Sequence, residues 1–243
     1  MRSADAERQL AFDLPHLEAT ALEDFMPAAS NRQALDAVLA WPGWPGMTVC
    51  VDGPPGSGKT HLARIWAARA QALYLHASQI WQAADPLARL GAARACAVDD
   101  ADTVEDERLL LHLYNLLRER DGTLLLTARR PIPAWGVALP DLRSRLFTAW
   151  PISIGVPDEG LLASLLVKQF NDRQLRVEPG VVELLARNME RSFAAAAALT
   201  RRLDRLALRV QRPVGPGLAR AVLREMSGED AEAEADRTAA PRS

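Results

Sequence analysis

The chain has 243 residues, which is enough for one large hydrophobic core and a smaller second unit. Apolar residues make up 49% of the sequence and charged residues 25%, a composition that is typical of a folded protein and argues against a disordered or fibrous one. The net charge of −2 gives no bulk positive field for nucleic acid or anionic lipid, so only a local basic patch remains open.

The sequence also predicts the compartment. The first eight residues carry four charges, and Asp13 interrupts the apolar run behind them, which argues against a signal peptide. No run of about 18 apolar residues follows anywhere. Cys50 and Cys96 lie in apolar, strand-like runs, where a small buried thiol is favoured over a disulfide or a ligand. We therefore expect a cytoplasmic protein without membrane contact.

Residues 1–20 contain a short apolar hexad, Gln9-Leu10-Ala11-Phe12-Asp13-Leu14, followed by Pro15. No helical or long strand period surrounds the hexad. We expect an exposed tail here.

The middle of the chain, residues 21–156, alternates between two kinds of segment. Short apolar runs are separated by segments that read as helical or mixed, and such alternation implies a parallel sheet covered on both faces. The runs are Met47–Val51, Ala72–Leu75, Ala95–Val98, Thr123–Thr127 and Trp150–Ile154.

Beyond Pro157 the pattern is helical only. Three apolar stripes at helical spacing occur before residue 211, and residues 218–226 predict a fourth helix. We expect a small helical domain over residues 157–226. Residues 227–243 are acidic and lack large apolar side chains after Met226, which favours a disordered tail.

The stretch from Gly53 to Thr60 reads Gly-Pro-Pro-Gly-Ser-Gly-Lys-Thr and lies between a predicted strand and a predicted helix. Glycines let the loop curl so that its N–H groups face phosphate oxygens, and the helix adds its positive end. Lys59 is expected to reach the β- and γ-phosphates, and Thr60 offers a hydroxyl to Mg²⁺. The alternative is a chance glycine-rich turn. The residues expected to bind ADP or ATP here are Gly53, Pro54, Pro55, Gly56, Ser57, Gly58, Lys59, Thr60 and His61.

Asp99 and Asp100 follow the apolar run Cys96–Val98, at the carboxyl edge where parallel sheets bind ligands. Asp99 can hold Mg²⁺ through water, as a Walker B acid does, and Asp100 can orient or deprotonate the attacking water. A solvated turn is the alternative.

Thr127 ends another predicted strand with a hydroxyl group. Such a residue can sense the γ-phosphate or position water, but a plain β-branched strand end is equally consistent with the sequence.

Two arginines are candidates for action on a nucleotide. Arg145, near the end of a predicted helix, could reach a nucleotide held by a neighbouring molecule as an arginine finger, whereas Arg143 and Arg145 could equally be solvated helix residues. Arg191 opens the third helix of the small domain and could lie over the nucleotide. Its rivals on the same predicted helix are Arg201, Arg202 and Arg205.

Together these motifs resemble the Hda family, AAA+ proteins related to the bacterial replication initiator DnaA. The resemblance covers about residues 9–226 and implies an α/β fold, an AAA+ P-loop parallel sheet covered by helices and followed by a small all-helical lid. The features in order are the hexad 9–14, the stretch Phe25–Asn31 with its Ser30-Asn31 pair, the P-loop, Asp99-Asp100, Thr-Ala-Arg-Arg-Pro at 127–131, Leu-Arg-Ser-Arg-Leu at 142–146, and Arg191. The P-loop occurs in many families, and the hexad in combination with the rest is far more specific.

By this resemblance the hexad is the peptide that docks on the DNA polymerase sliding clamp, the beta subunit. Leu10, Phe12 and Leu14 would enter an apolar pocket while the Gln9 amide hydrogen-bonds at its rim. Without the resemblance, an N-terminal strand packed on its own domain would be favoured.

The resemblance also places Phe25, Met26 and Asn31 around the adenine. The alternative is a plain helix start. Arg129 departs from the pattern, because initiator-like relatives commonly have an acidic residue there. A reversed charge beside the phosphates would favour holding a nucleotide over hydrolysing it.

The function that the resemblance implies is regulation of replication initiation. The chain would bind ADP or ATP, dock on the clamp and present Arg145 to DnaA-bound ATP, leaving DnaA in its ADP form. DnaA continues into a helix-turn-helix domain, whereas this sequence ends soon after the predicted lid. This difference and the net charge of −2 are expected of a regulator that reaches DNA only through the clamp. Weak ATPase activity of its own and nucleotide-dependent self-association are further expectations.

Two other readings remain open. One is a self-sufficient ATPase that loads or remodels a partner through turnover at Lys59, Asp99 and Asp100. The other is a scaffold that binds nucleotide only for stability.

Overall fold

The computed structural model describes Leu22 and residues 25–80 and 88–228. The strands are β1 (Thr48–Asp52), β2 (Leu73–His76), β3 (Ala95–Asp99), β4 (Thr123–Ala128) and β5 (Trp150–Ser153). The helices are α1 (Arg32–Ala40), α2 (Lys59–Ala70), α3 (Ala77–Ile80), α4 (Glu107–Glu119), α5 (Pro140–Leu146), α6 (Glu159–Asp172), α7 (Val181–Asn188), α8 (Phe193–Val210) and α9 (Pro216–Ser227).

The five strands form one parallel sheet in the order β2-β3-β4-β1-β5. Every residue of β1 and β3 is buried, as expected for strands covered on both faces. The prediction of a parallel sheet covered by helices is confirmed, and each predicted strand end differs from the observed one by at most one residue. The order brings the carboxyl ends of β3, β4 and β1 side by side.

Helices cover both faces of the sheet. On one face α1 and α2 pack against β1, β4 and β5, with Trp66 of α2 fully buried beside Val51 and Leu125. On the other face α4 and α5 bury Leu117 and Leu146 against the opposite side of β3 and β4. The alternation of side chains along each strand produces these two separate clusters of buried residues.

The helical portion from α6 to α9 has a third cluster of buried residues, which includes Leu162, Leu185, Leu203 and Val222. The four predicted apolar stripes therefore face one another. α8 begins at Phe193, because the Ser192 side chain accepts a hydrogen bond from the Ala195 N–H at 2.9 Å as the N-cap.

Three sequence-based expectations fall on residues outside the described ranges: the tail over residues 1–20, its hexad, and the acidic segment from residue 229 onward. We expected the acidic tail to begin at residue 227, but α9 runs to Ser227, so this residue belongs to the last helix. None of the described helices is both long enough and apolar enough to cross a membrane.

Candidate functional site

The P-loop connects β1 to α2 in the middle of the sheet and takes a shape that only glycine permits. Gly56 and Gly58 have φ angles of +80° and +90°, in the left-handed region that side chains disfavour. A Cβ atom on Gly53 would lie 3.0 Å from both the Cβ and the carbonyl oxygen of Ile154. The three glycines that the sequence singled out are therefore required by backbone conformation or close approach.

Lys59 lies inside the loop rather than in solvent. Its Nζ donates hydrogen bonds of 2.9 Å to the carbonyl oxygens of Gly53 and Pro54, and only 6% of the residue is exposed. Burial lowers the pKa of Lys59, and the nearby carboxylates of Asp100 and Asp99 offset part of that effect. An ammonium group has three donors, so one remains for a phosphate oxygen.

The N-terminus of α2 adds backbone donors at the same place. Leu62 donates to the Gly58 carbonyl at 2.9 Å, and the N–H groups of Lys59, Thr60 and His61 precede this bond. Helix N-terminal N–H groups together with the helix dipole favour an anion. They border a cavity of about 510 Å³ that is also lined by Arg64, Asp100 and Arg129.

The carboxylate of Asp99, at the end of β3, accepts three hydroxyl hydrogen bonds. Thr60 and Tyr74 each donate to its Oδ2 atom at 2.8 Å, and Thr127 donates to Oδ1. Asp99 is 1% exposed, and burying a charge requires such partners. Burial and the bond to Asp99 raise the pKa of Tyr74, which keeps its hydroxyl protonated as a donor. The structure thus brings together P-loop, Walker B and strand-end residues.

Asp100 is held differently from Asp99. Its φ angle of +55° turns the chain at the end of β3, and its N–H donates to the Thr127 hydroxyl at 3.0 Å. Its carboxylate accepts a hydrogen bond of 3.2 Å from Arg129 and lies 3.5 Å from His76. The acid expected to activate water is therefore ion-paired to the arginine that departs from the family pattern.

The oxygen atoms of Thr60 and Asp99 suit a magnesium ion. Mg²⁺ prefers hydroxyl, carboxylate and water oxygens, and the two side-chain oxygens are 2.8 Å apart beside the phosphate cavity. The Thr60 hydroxyl donates to Asp99 and still has lone pairs for a cation.

A second cavity, of about 180 Å³, adjoins the first and shares Gly56, Ser57, Gly58 and His61 with it. Phe25, Met26 and Asn31, which the resemblance placed around the adenine, all line this cavity. Phe25 packs edge-on against His61 with ring centroids 5.6 Å apart. The position fits a base placed next to the phosphates.

Asn31 holds the backbone of this segment. Its Oδ1 accepts from the Ala28 N–H at 2.8 Å, and its Nδ2 donates to the Met26 carbonyl at 2.9 Å. Asn31 is 4% exposed. It shapes the cavity wall through these bonds, whereas Phe25 and Met26 supply the apolar surface.

Residues from the helical portion also line the second cavity, and the sequence gave no indication of them. Phe193, at the start of α8, packs so close that a Cβ on Gly56 would lie 3.0 Å from its Cβ. The lining residues from α6 are Leu161, Leu165 and Lys168. The helical portion therefore forms one wall of the second cavity.

Arg145 lies in the last turn of α5, but its side chain folds back on its own chain. It donates two hydrogen bonds of 3.0 Å to Asp141, and its guanidinium lies 5.5 Å from the centre of the Tyr114 ring. These bonds lower the pKa of Asp141. Arg145 therefore does not project freely from the edge as the sequence suggested, and Arg143 is the more exposed of the two arginines.

Arg191 is exposed and precedes the N-cap of α8, so it does not begin the helix as predicted. Within the described part of the chain it lines neither P-loop cavity. The structure leaves Arg191 beside the site, and Phe193, two residues on, contacts the loop.

Fold and site together define a P-loop protein with the AAA+ fold, and comparison with solved structures gives the same class. Domain III of DnaA from Thermotoga maritima superposes with a TM-score of 0.69 and 17% identity, covering 85% of this chain and 96% of that one. AMPPCP-bound DnaA from Aquifex aeolicus superposes with a TM-score of 0.62 and 18% identity, covering 77% and 65% of the two chains. At these identities the likeness shows the fold.

Sequence comparison indicates the same relationship. The chain is 24% identical over 234 residues to the chromosomal replication initiator protein DnaA of Cutibacterium acnes (strain DSM 16379 / KPA171202). The match covers 86% of this chain and 47% of that protein, so the chain spans about half the length of this relative. No protein-family model matches the chain. The protein is thus a DnaA-like AAA+ domain by fold.

Proposed function

We propose that this protein binds ADP or ATP with Mg²⁺ and regulates replication initiation by stimulating hydrolysis of DnaA-bound ATP, as in the Hda family. The nucleotide part is carried by one observation: Lys59, Thr60, Asp99 and Thr127 converge on the glycine loop at the N-terminus of α2. The AMPPCP-bound DnaA of Aquifex aeolicus has the same fold, which supports a nucleotide at this place.

In the proposed site the backbone N–H groups of the loop and Lys59 bind the phosphates. Thr60 would coordinate Mg²⁺ directly, and Asp99 would hold it through water. Held there, the ion would supply positive charge that neutralises the phosphates. Phe25 and Met26 on one side and Phe193 on the other enclose the base.

The ion pair between Arg129 and Asp100 supports a weak ATPase activity of the protein itself. A general base must be free to accept a proton from the attacking water. Asp100 instead accepts a hydrogen bond from Arg129, which occupies a carboxylate oxygen that the attacking water would need. Such a site would retain its nucleotide rather than turn it over rapidly.

The action on DnaA is assigned to Arg145. Leaving Asp141 breaks two hydrogen bonds at a partly exposed position, where water can replace them on the carboxylate. The Nη1 atom of Arg145 is buried and makes no hydrogen bond within the described ranges, so this donor is unsatisfied while the side chain is paired with Asp141. Once it has left Asp141, the guanidinium could neutralise the charge that develops on a phosphoryl group in a partner's site.

Docking on the clamp is assigned to Gln9, Leu10, Phe12 and Leu14, which lie outside the described residues. The support is the pattern of a polar residue followed by alternating apolar anchors. Tethering to a clamp would raise the local concentration of the protein at replicating DNA.

The test is the conversion of DnaA-bound ATP to ADP with this protein and DNA-loaded clamp, each omitted in turn. Conversion that requires both components supports the proposal. Conversion at the same rate without this protein contradicts it.

A second candidate is a self-sufficient ATPase that loads or remodels a partner. The complete set of Lys59, Thr60, Asp99 and Thr127 favours it, because these residues suffice to bind and position ATP. Rapid turnover by the protein alone, unchanged by clamp or DnaA, would select this candidate.

A further inference from the structure

The outer face of α8 carries a row of arginines. Arg201, Arg205 and Arg209 follow one another at four-residue spacing, and Arg212 comes three residues later, just beyond the helix end. Residues at this spacing lie on the same face of a helix. All four are exposed, whereas Leu199 and Leu203 on the opposite face are buried in the helical portion.

The row ends at a groove with two more arginines. Arg173 and Arg176, which follow α6, line a cavity of about 340 Å³ together with Arg212. The Val214 N–H donates to the Arg176 carbonyl at 2.8 Å, which ties the segment after α6 to the segment after α8. Asp204 is the one acidic residue among the described residues that line this groove.

Acidic partners do not neutralise this surface. Arg187 pairs with Glu159 at 3.1 Å and Arg202 pairs with Glu225 at 2.7 Å. Among the residues that the structure describes, none makes an ion pair with the six arginines. Charges of both signs are normally interspersed on a surface, whereas here the arginines outnumber the one acidic residue of the groove, which produces a local positive field.

The net charge of the chain conceals this field. Residues 157–228 carry twelve Lys and Arg against eight Asp and Glu, although the whole chain has 29 against 31. The positive charge is therefore concentrated in the helical portion. Leu208, 71% exposed, lies within the row and gives it one apolar side chain.

We propose that the arginine surface, consisting of Arg173, Arg176, Arg201, Arg205, Arg209 and Arg212, binds the phosphate backbone of duplex DNA directly. The planar guanidinium fork matches phosphate oxygens. The span from Arg201 to Arg209 is about 12 Å at the helical rise of ~1.5 Å per residue. One DNA strand presents a phosphate about every 3.4 Å, so each arginine in the row can contact its own phosphate.

This binding is independent of base sequence. Phosphate contacts position a protein on DNA without reading bases, and all the contacts proposed here are to phosphates. The inference goes beyond the proposed function, in which the protein reaches DNA only through the clamp.

The test is binding of the full chain, with neither clamp nor DnaA present, to a short fluorescent DNA duplex over a series of salt concentrations. The variant changes Arg201, Arg205 and Arg209 to Gln together. The matched control changes Arg187, Arg202 and Arg224 to Gln, which removes the same charge from the same helical portion. Melting temperature and ADP binding verify that both variants are folded.

Wild-type protein is expected to bind, with affinity falling as salt rises. Each phosphate contact contributes about −0.9 to the slope of log affinity against log salt, so the row variant should lose about 2–3 from the slope. Its affinity should fall at least about tenfold, while the control stays near wild type.

Three results would overturn the inference: no wild-type binding at low salt, equal binding by the row variant, or an equal loss in the control. Capture by vesicles that contain phosphatidylglycerol, with no capture by DNA, would also overturn it by assigning the surface to a membrane. None of these results alters the clamp-dependent assay, so failure here is distinguishable from failure of the proposed function.

Discussion

The guanidinium of Arg129 donates from Nη2 to the Oδ2 atom of Asp100 at 3.2 Å, at the edge of the phosphate cavity. The Arg129 N–H also donates to Asp102 at 3.2 Å, which anchors the backbone beneath this contact. A permanent cation therefore lies where a nucleotide's terminal phosphate is expected, and it is paired with the acid that would activate water. Under the proposed function, this pair would link nucleotide retention to slow turnover.

Replacing Arg129 with Ala should raise the protein's own rate of ATP hydrolysis. The pair is partly exposed, so its contribution is about 0.2–1 kcal/mol, which corresponds to an increase of about 1.4-fold to fivefold. The measurement is steady-state phosphate release by the protein alone. An unchanged or lower rate would show that Arg129 does not restrain Asp100.

Nucleotide affinity should fall as the pH rises. The fall should begin at a lower pH than it would with a lysine of ordinary pKa. Burial lowers the pKa of Lys59 in the free protein, and bound phosphates raise it. Between these two values ADP binding takes up a proton, so the dissociation constant should rise by up to about tenfold per pH unit.

Titration of ADP binding over an alkaline pH series tests this dependence. The control is Lys59→Arg, which stays charged and should not show the rise. Lys59→Ala should bind ADP and ATP weakly at every pH. Wild-type affinity in Lys59→Ala would contradict the assignment of the loop.

Replacing Thr127 with Val should lower the free energy of unfolding by about 1–3 kcal/mol. The substitution keeps the shape but removes the hydroxyl that donates to Asp99 Oδ1 and accepts from the Asp100 N–H, while Thr60 and Tyr74 still donate to Asp99 Oδ2. Urea unfolding measures the change, and Thr127→Ser, which keeps the hydroxyl, is the control. A stability equal to wild type in Thr127→Val would mean that the bridge contributes little.

The clamp-binding hexad gives a prediction that concerns affinity rather than stability. Replacing Gln9, Leu10 and Phe12 with Ala should reduce clamp affinity by about 10³-fold, since two apolar anchors at about 2 kcal/mol each are lost. Melting temperature should change little, because terminal segments contribute little to a core. Replacing Arg8 and Asp13 with Ala is the control. A large loss of stability would instead indicate a packed strand.

Local patterns predicted much of this molecule. The glycines of the P-loop, the strand before it and the helix after it occupy about twenty consecutive residues, so the sequence alone indicates the loop. Asp99 and Thr127 were predicted as separate strand ends. Their direct contact follows from the strand order, which places β4 between β3 and β1.

Other contacts depend on packing between distant segments, which no local pattern reveals. Tyr74 reads as an ordinary strand residue, yet its hydroxyl reaches Asp99 from the neighbouring strand. Phe193 reads as a core residue of α8 and contacts the P-loop only because of how the helical portion sits. The position of Arg145 over Tyr114 likewise depends on how α5 packs on α4.

The central claim, that this protein acts on DnaA-bound ATP, is tested most directly by the Arg145→Ala variant. The measurement is the fraction of DnaA-bound ATP converted to ADP over time in the presence of DNA-loaded clamp. Arg143→Ala, which removes an exposed arginine from the same helix, is the matched control. Arg145→Lys should not restore activity, because an ammonium lacks the planar fork.

The account predicts that Arg145→Ala loses about 10³-fold or more of the stimulated rate, as arginine fingers contribute about 10³–10⁵. ADP affinity and clamp binding should stay near wild type, and melting temperature should fall by only a few degrees, because the lost contacts are a partly exposed ion pair and a ring contact. Arg143→Ala should keep most of the activity. Full conversion of DnaA-bound ATP by Arg145→Ala would contradict the account.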